Sequence, residues 1–435
     1  MGLGLSVLAS GGRKSWLPWG RQAAGAQPLA EAIVAAIEDR ALRSLAGIHP
    51  GGNCTEIFLH PAAENLELTL DSSGIVCSAK TSTCGPGYHA WVVELLERAG
   101  KSLGLEWTVS GGDYGDETEY WTERSLEKLQ QEMAGWLHEV SKMVLQHSDE
   151  ATDLMINMPL GFPTLDDDVH HFAITPMGPR TREWFELAAQ SHGDALRLAP
   201  GFFPWWNRGL DGDFWRGLGL VLAWGNLSWA IPQDEPQAAS YRLAQEAFRR
   251  AQKAGASGLP LEEIAEVDAL LAADDDTPLP LPDRHPARIG YRRRKLQRPL
   301  TGNWHVTLPG FYYRQEEDDG STTVYWYGDR TLRGSSLSVT RRDGGPADPL
   351  EMIGEIEPPE DPAAETIDER HGDPPGWAVL ERAEDEDGEY WNLSGRTGAP
   401  SELCFVTISY RDESDRDWAL QTWRSVRDRP QGDGQ

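Results

Sequence analysis

Cysteine is scarce in this chain: four residues in 435. Cys54, Cys77, Cys84 and Cys404 show no CxxC spacing, and Cys77 and Cys84 stand seven apart. That excludes a zinc ribbon and a disulfide framework, and it points to a reducing compartment. No run of about 18 apolar residues occurs, so no transmembrane helix is expected. The opening Met1–Ser10 is apolar but too short for a secretory signal, and no basic residue precedes it. Met1-Gly2 with Ser6 fits the formal myristoylation pattern, but a first β-strand over Leu5–Ala9 is the plainer reading. The expectation is a bacterial cytoplasmic protein. Positive charge is also in short supply. Lys plus Arg is 40 against 69 Asp plus Glu, a formal charge of −29. Such a surface repels DNA, RNA and anionic lipid, so neither nucleic acid nor membrane is an expected partner. A basic protein or a cation is electrostatically easier.

What the chain does have is material for a core. Hydrophobic residues make up 39% and charged residues 25%, a globular balance, and the length suggests two or three domains. Apolar positions Ile33, Val34, Ile37, Ala41 and Leu45 predict a helix over 29–45, ended by Gly47 and Pro50. Leu66, Leu68 and Leu70 alternate with Glu67 and Thr69, the pattern of a half-buried strand, and Asp71–Gly74 turns it into a return strand. A helix follows Gly85-Pro86-Gly87, and a long amphipathic one is predicted over 119–146. Residues 1–235 therefore form a mixed α/β domain, extended by an Ala-rich helical pair over 236–273. Residues 274–299, with Pro278, Pro280, Pro282 and Pro286 and the basic run Arg292–Lys295, read as a linker. From residue 300 to 428 the texture is β-rich with one terminal helix near 415–426, and 341–375 reads as a long acidic loop. The fold class is α+β.

The strand Trp304–Leu308 followed by Pro309-Gly310, and the terminal helix led by Trp418 and Trp423, give residues 300–428 an order of elements that resembles the Mog1/PsbP-like domains. That resemblance implies a sheet crossed by its last helix, and a binding or chaperone-like module without a shared catalytic centre. It carries no individual residue over to this chain. The acidic insertion at 341–375 departs from a compact version of that architecture.

Several residues could carry chemistry. Cys84 sits where a helix should begin, and a helix N-terminus lowers a thiol pKa. Papain-like and NlpC-like hydrolases place their nucleophile in this way. With His171 as base, just before the strand Phe172–Thr175, and Asp168 as its orienter, Cys84 would form a catalytic constellation. The run Asp166–His171 mixes carboxylates and imidazoles, with Asp166, Asp168 and His170 as candidate metal ligands. Glycines before His89 could offer backbone N–H groups to an anion, although Lys and Ser/Thr at P-loop spacing are missing. Trp205, Trp206, Asn207 and Arg208 lie in an aromatic-rich stretch that could line a ligand pocket. Each has a blander alternative: a helix-capping thiol, a solvated acidic loop, a tight turn, and aromatic core packing.

Each catalytic reading needs partners that the sequence does not supply, and no cofactor is indicated. The function expected is therefore non-enzymatic protein binding, of a toxin-immunity or defence-associated kind, with a basic partner. The alternatives are a thiol hydrolase at Cys84 and His171 and a metal-dependent enzyme at Asp166–His171.

Overall fold

Two groups of residues, each more closely connected within itself than to the other, make up the chain in the computed structural model. It describes residues 2–11, 26–111, 114–147, 154–159, 162–165, 172–273, 288–317, 320–356 and 362–428. Helix at 39% and strand at 30%, with antiparallel sheets in both parts, make the α+β class.

The first unit comprises 1–162, 169–227 and 234–272. It opens with β1 (Gly4–Gly11), α1 (Gln27–Ala35) and α2 (Arg40–Leu45), then β2 (Gly47–Pro50), β3 (Cys54–Phe58), β4 (Leu66–Asp71) and β5 (Gly74–Lys80). Next come α3 (Pro86–Leu103), β6 (Leu105–Thr108), β7 (Ser110–Gly111), β8 (Tyr114–Asp116), α4 (Tyr120–Glu123) and α5 (Leu126–His147). The helices α6 (Arg182–Gln190), α7 (His192–Phe202), α8 (Gly212–Val221), α9 (Glu235–Lys253) and α10 (Leu261–Ala272) complete it. The strands form an antiparallel sheet in the order β2-β3-β4-β5-β1-β8-β7, with β6 also paired to β1. On β4, Leu66 and Leu68 are fully buried while Glu67 between them is exposed. This is the period-2 signal that marked the strand.

α3 forms because Pro86 pre-sets the first turn and Gly104, in the left-handed region at φ 66°, closes the last. Its stripe Tyr88, Val92, Leu95, Leu96 and Ala99 has no exposure, and the helix packs on α1, α5 and β6. Each large apolar side chain so buried contributes about 1.5–3 kcal/mol.

Two helices expected to be continuous are broken. The first splits because the Asp39 carboxylate caps a fresh start, accepting from Ala41 N at 2.9 Å and Leu42 N at 3.2 Å. The second splits at Arg124, whose left-handed φ of 57° separates α4 from α5.

The second unit comprises 163–168, 228–233 and 273–435. After a 3-10 turn at 291–293 come β9 (Lys295–Pro299), β10 (Trp304–Pro309), β11 (Tyr313–Glu316), β12 (Thr322–Tyr327) and β13 (Arg330–Ser338). They are followed by α11 (Pro349–Ile353), β14 (Glu365–Glu369), β15 (Gly376–Asp385), β16 (Gly388–Ala399), β17 (Glu402–Tyr410), α12 (Arg416–Arg424) and β18 (Arg427–Asp428). Seven strands pair in the order β11-β12-β13-β17-β16-β15-β14, and a second sheet runs β18-β10-β9. Trp304, Tyr325, Leu332, Leu393, Val406, Ile408 and Trp423 belong to one core. α12 contacts β17 and β10, so the strand and the terminal helix expected at the two ends of this region are both present.

The supposed linker differs from expectation at its end. Residues 274–287 lie outside the described residues, but 295–299 are strand β9, with Leu296 fully buried. Within the basic run, Arg293 is held inside the unit. Arg293 is 1% exposed; its guanidinium stacks 3.8 Å from the Trp229 ring centroid and donates to Ile289 O at 2.8 Å. A delocalised cation with an aromatic face and a carbonyl can be buried where an ammonium cannot. The supposed loop at 341–375 contains α11 and β14. Asp348 caps α11 by accepting from Leu350 N at 2.8 Å, and Ile367 of β14 is buried in the core.

Candidate functional site

The segment Thr81-Ser82-Thr83-Cys84-Gly85-Pro86-Gly87-Tyr88-His89 joins β5 to α3 and gathers the buried polar residues Thr81, Ser82, Thr83 and His89 beside a buried thiol and phenol. Thr81, Ser82, Cys84, Tyr88 and His89 have no exposure, and Thr83 has 4%. Its backbone is stitched to the turn after α7. Trp205 N donates to Cys84 O at 3.0 Å, and Gly87 N donates to Trp205 O at 3.0 Å.

Cys84 faces His60. Its Sγ lies 3.4 Å from His60 Nδ1, the same nitrogen that accepts from Ala62 N at 3.1 Å. With Nδ1 accepting, the network assigns the imidazole proton to Nε2, which is buried and has no hydrogen-bond partner among the described residues. Tyr88, Trp205 and Phe214 surround the imidazole with ring centroids 6.1, 6.2 and 6.4 Å away. Burial governs the protonation of both groups. It lowers the His60 pKa to about 3 and pushes the Cys84 thiol well up. The shift on the thiol is opposite to the one a helix N-terminus provides: loss of water around a fully enclosed sulfur outweighs a partial charge at the helix end. The pair is a neutral thiol beside a neutral imidazole.

His89 faces the other way. Thr81 Oγ1 is 2.8 Å from His89 Nδ1, and His89 Nε2 is 3.2 Å from Asp116 Oδ2. The Asp116 side chain is 3% exposed and accepts from Trp121 N at 2.7 Å, Thr118 N at 2.9 Å and Thr118 Oγ1 at 2.7 Å. Burial works to raise the Asp116 pKa. The hydrogen bond and charge of His89, with the bonds from Thr118 and Trp121, outweigh it and hold the carboxyl at about 2. This hydroxyl–imidazole–carboxylate row has the connectivity of a proton relay, and it ties β8 and the β5–α3 turn together. His89 was expected to meet a ligand beside free N–H groups. Those groups already serve the fold: Gly85 N donates to Thr81 O at 2.9 Å, Gly87 N to Trp205 O, and His89 N to Gly85 O at 3.1 Å.

The aromatic stretch is core at its centre. Trp205 is 1% exposed, lies 4.2 Å from Phe214 and 5.1 Å from Trp91 by ring centroid, and donates through Nε1 to Gly209 O at 3.1 Å. Trp206 is half-buried and stacks on Phe203 at 5.8 Å. Asn207 donates to Asp211 at 3.1 Å, and the exposed Arg208 pairs with Glu94 at 2.7 Å. These four do not share one environment.

Asp166, Asp168, His170 and His171 lie outside the described residues. Among the described residues no group of three or more His, Cys, Asp or Glu is placed to hold a metal. Sequence reasoning missed His60, Thr81, Asp116 and Thr118. A His-Pro step after β3 and an Asp-x-Thr that starts at the last residue of β8 were the available signals. Neither is legible until the sheet brings them to the β5–α3 turn.

No family model matches the chain, and no curated protein is similar to it. A solved structure from Bacteroides thetaiotaomicron is similar over 30% of this chain at 11% identity, with a TM-score of 0.23. The chain spans about half of that structure's length, 47%.

Among the described residues no helix is long and apolar enough to cross a membrane.

Proposed function

We propose that the chain is a non-enzymatic binding protein whose partner is a protein of net positive charge, in a toxin-neutralising or defence-associated role. The observation that supports this is how the scarce cations are used. Arg250 pairs with Asp39 at 2.6 Å, Arg208 with Glu94 at 2.7 Å, Arg330 with Asp415 at 2.5 Å and Arg416 with Glu365 at 2.5 Å; Arg98 pairs with Glu38 and Arg124 with Glu97. Every such pair cancels one base against one acid, so the formal charge of −29 is left to the surrounding field. Such a field steers a cationic partner and repels anionic ones.

The test is a pull-down of the tagged chain from its native lysate at low and high salt, followed by gel filtration of what is captured. A single basic protein in fixed stoichiometry, released as salt rises, supports the proposal. Capture of many basic proteins without stoichiometry, or none, overturns it.

A second reading, thiol hydrolysis at Cys84, is favoured by the 3.4 Å contact with the His60 imidazole. This contact puts a base within reach of the thiol without His171. That chemistry requires the pair to ionise against its own burial, so it predicts an opened state in which Cys84 reacts fast.

A further inference from the structure

Basic residues are outnumbered in this chain, yet among the described residues one concave surface of the second unit is lined by them alone among charged side chains. A groove of about 550 Å³ lies between the β9–β10 pair and α12. Among the described residues its lining includes Lys295, Arg424, Arg427 and His305, and no Asp or Glu. With acids over bases at 69 to 40, a lining with three permanent cations and no carboxylate runs against composition.

Strand alternation builds the floor. On β9, Lys295 and Gln297 point away from the core that buries Leu296 and Arg298; on β10, His305 and Thr307 point away from the core that buries Val306 and Leu308. Antiparallel register sets Gln297 opposite Thr307, and Lys295 opposite Pro309, so these polar side chains share one face. α12 supplies the wall, fixed to the floor where Thr307 N donates to Ser425 Oγ at 3.0 Å. Arg424 Nε is committed to Glu369 at 2.8 Å. Arg427 instead donates through Nη1 to the carbonyls of Arg424 at 2.6 Å and Val426 at 2.8 Å. Those bonds hold its guanidinium in place without neutralising it. The neighbouring Asp428 is set opposite the buried Trp304, whereas Arg427 is set opposite His305 on the floor of the groove.

We infer that this groove binds a small molecule bearing at least two oxyanionic groups, with Lys295 and Arg427 as the charged contacts and Gln297, Thr307 and Gln421 as hydrogen-bonding contacts. The volume is that of a small-ligand site, commonly about 300–1,000 Å³. The chain's overall negative charge does not forbid it. At physiological salt, charges farther than about 8 Å are largely screened, so the cations at contact distance dominate. Phosphate and carboxylate groups share this recognition chemistry, and guanidinium suits both. The inference is independent of the protein-binding proposal.

The test is calorimetric titration of the full chain with inorganic pyrophosphate and, separately, with citrate, at about 0.15 M ionic strength and about pH 7. Sodium chloride at matched ionic strength is the control. The expected result is saturable binding of one or both probes, weakened at least about tenfold in the double variant Lys295→Gln, Arg427→Gln. The variant should remain folded, with an unliganded melting temperature only slightly below wild type because Arg427 loses its bonds to the carbonyls of Arg424 and Val426. Lys142→Gln, on α5 of the first unit, should leave binding unchanged. Preference for pyrophosphate assigns a phosphate-bearing ligand, and preference for citrate a polycarboxylate. No saturable binding of either probe up to about 10 mM, or equal binding by the double variant, overturns the inference.

Discussion

Gly87 stands against Trp205 so closely that a β-carbon added to the glycine would lie 2.2 Å from the indole Cδ1 and 2.2 Å from the carbonyl oxygen of Asn207. The indole is fully enclosed and the second atom is backbone, so neither can yield cheaply. Gly87→Ala should therefore destabilise the first unit by on the order of 3 kcal/mol. Gly52 is the control: exposed, with open space where its β-carbon would go. Gly52→Ala should be neutral or slightly stabilising by its effect on the unfolded chain. Urea unfolding of the two variants checks this. Similar stabilities would mean that the turn and the indole do not meet as described.

The cysteines should divide by burial. Cys54 is half-buried, whereas Cys77, Cys84 and Cys404 are buried, with all three buried thiols pushed up by loss of solvation. A thiol-reactive disulfide reagent near neutral pH should label Cys54 first and the others only on unfolding. Peptide mapping of the labelled sites gives the order. Fast selective labelling of Cys84 in the native chain would support the thiol-hydrolase reading and count against the neutral pair with His60.

What could be read from the sequence was local. The alternation of Leu66, Glu67 and Leu68, and the stripe from Tyr88 to Leu103, depend on periods of two and 3.6 residues and need no tertiary knowledge. The helix breaks were harder because they turn on single residues. Asp39 looks like any acidic residue until its carboxylate meets Ala41 N and Leu42 N, and Arg124 gives no sign of a left-handed backbone. The basic run at 292–295 was misleading for a physical reason. Four basic residues after a Pro-rich stretch read as linker, but a guanidinium can be buried when an aromatic face awaits it, and Trp229 lies more than sixty positions away in the chain. Cys84 could be recognised as a residue at a helix start. Its partner His60 could not, because the pairing is made by the sheet.

The Arg293–Trp229 contact makes a prediction of its own. Arg293→Ala removes a stacked cation, its bond to Ile289 O and the packing of its stem. It should cost about 2 kcal/mol or more. Arg293→Lys should recover little of that loss, since an ammonium neither stacks flat nor tolerates the same burial. Chemical denaturation of both variants, followed by tryptophan fluorescence, measures the difference. A lysine variant as stable as wild type would show that charge alone matters there.

The acid limb of stability should carry the signature of Asp116. Its carboxyl is held at about 2 in the folded chain against 3.8 for the free group. A depressed folded value means that the carboxylate stabilises the fold fully above about pH 4, and that this contribution is lost as pH falls through about 2. The lowering corresponds to on the order of 2 kcal/mol. Asp116→Asn cannot hold the charge that His89 Nε2, Thr118 and Trp121 N are arranged to meet. It should be less stable than wild type by roughly that amount near neutral pH. Below about pH 4 the gap should narrow, because wild type gives up the same contribution as it protonates. Urea titrations of both proteins at several pH values between about 7 and 3 provide the comparison. A gap that stays constant over this range would locate the cost of the substitution in shape or packing and remove charge as its cause. Thr118→Val tests the same network from the donor side. Without the hydroxyl that donates to Asp116 Oδ1 at 2.7 Å, the carboxylate loses one of the bonds that outweigh its burial. The wild-type acid transition should then begin at higher pH in this variant.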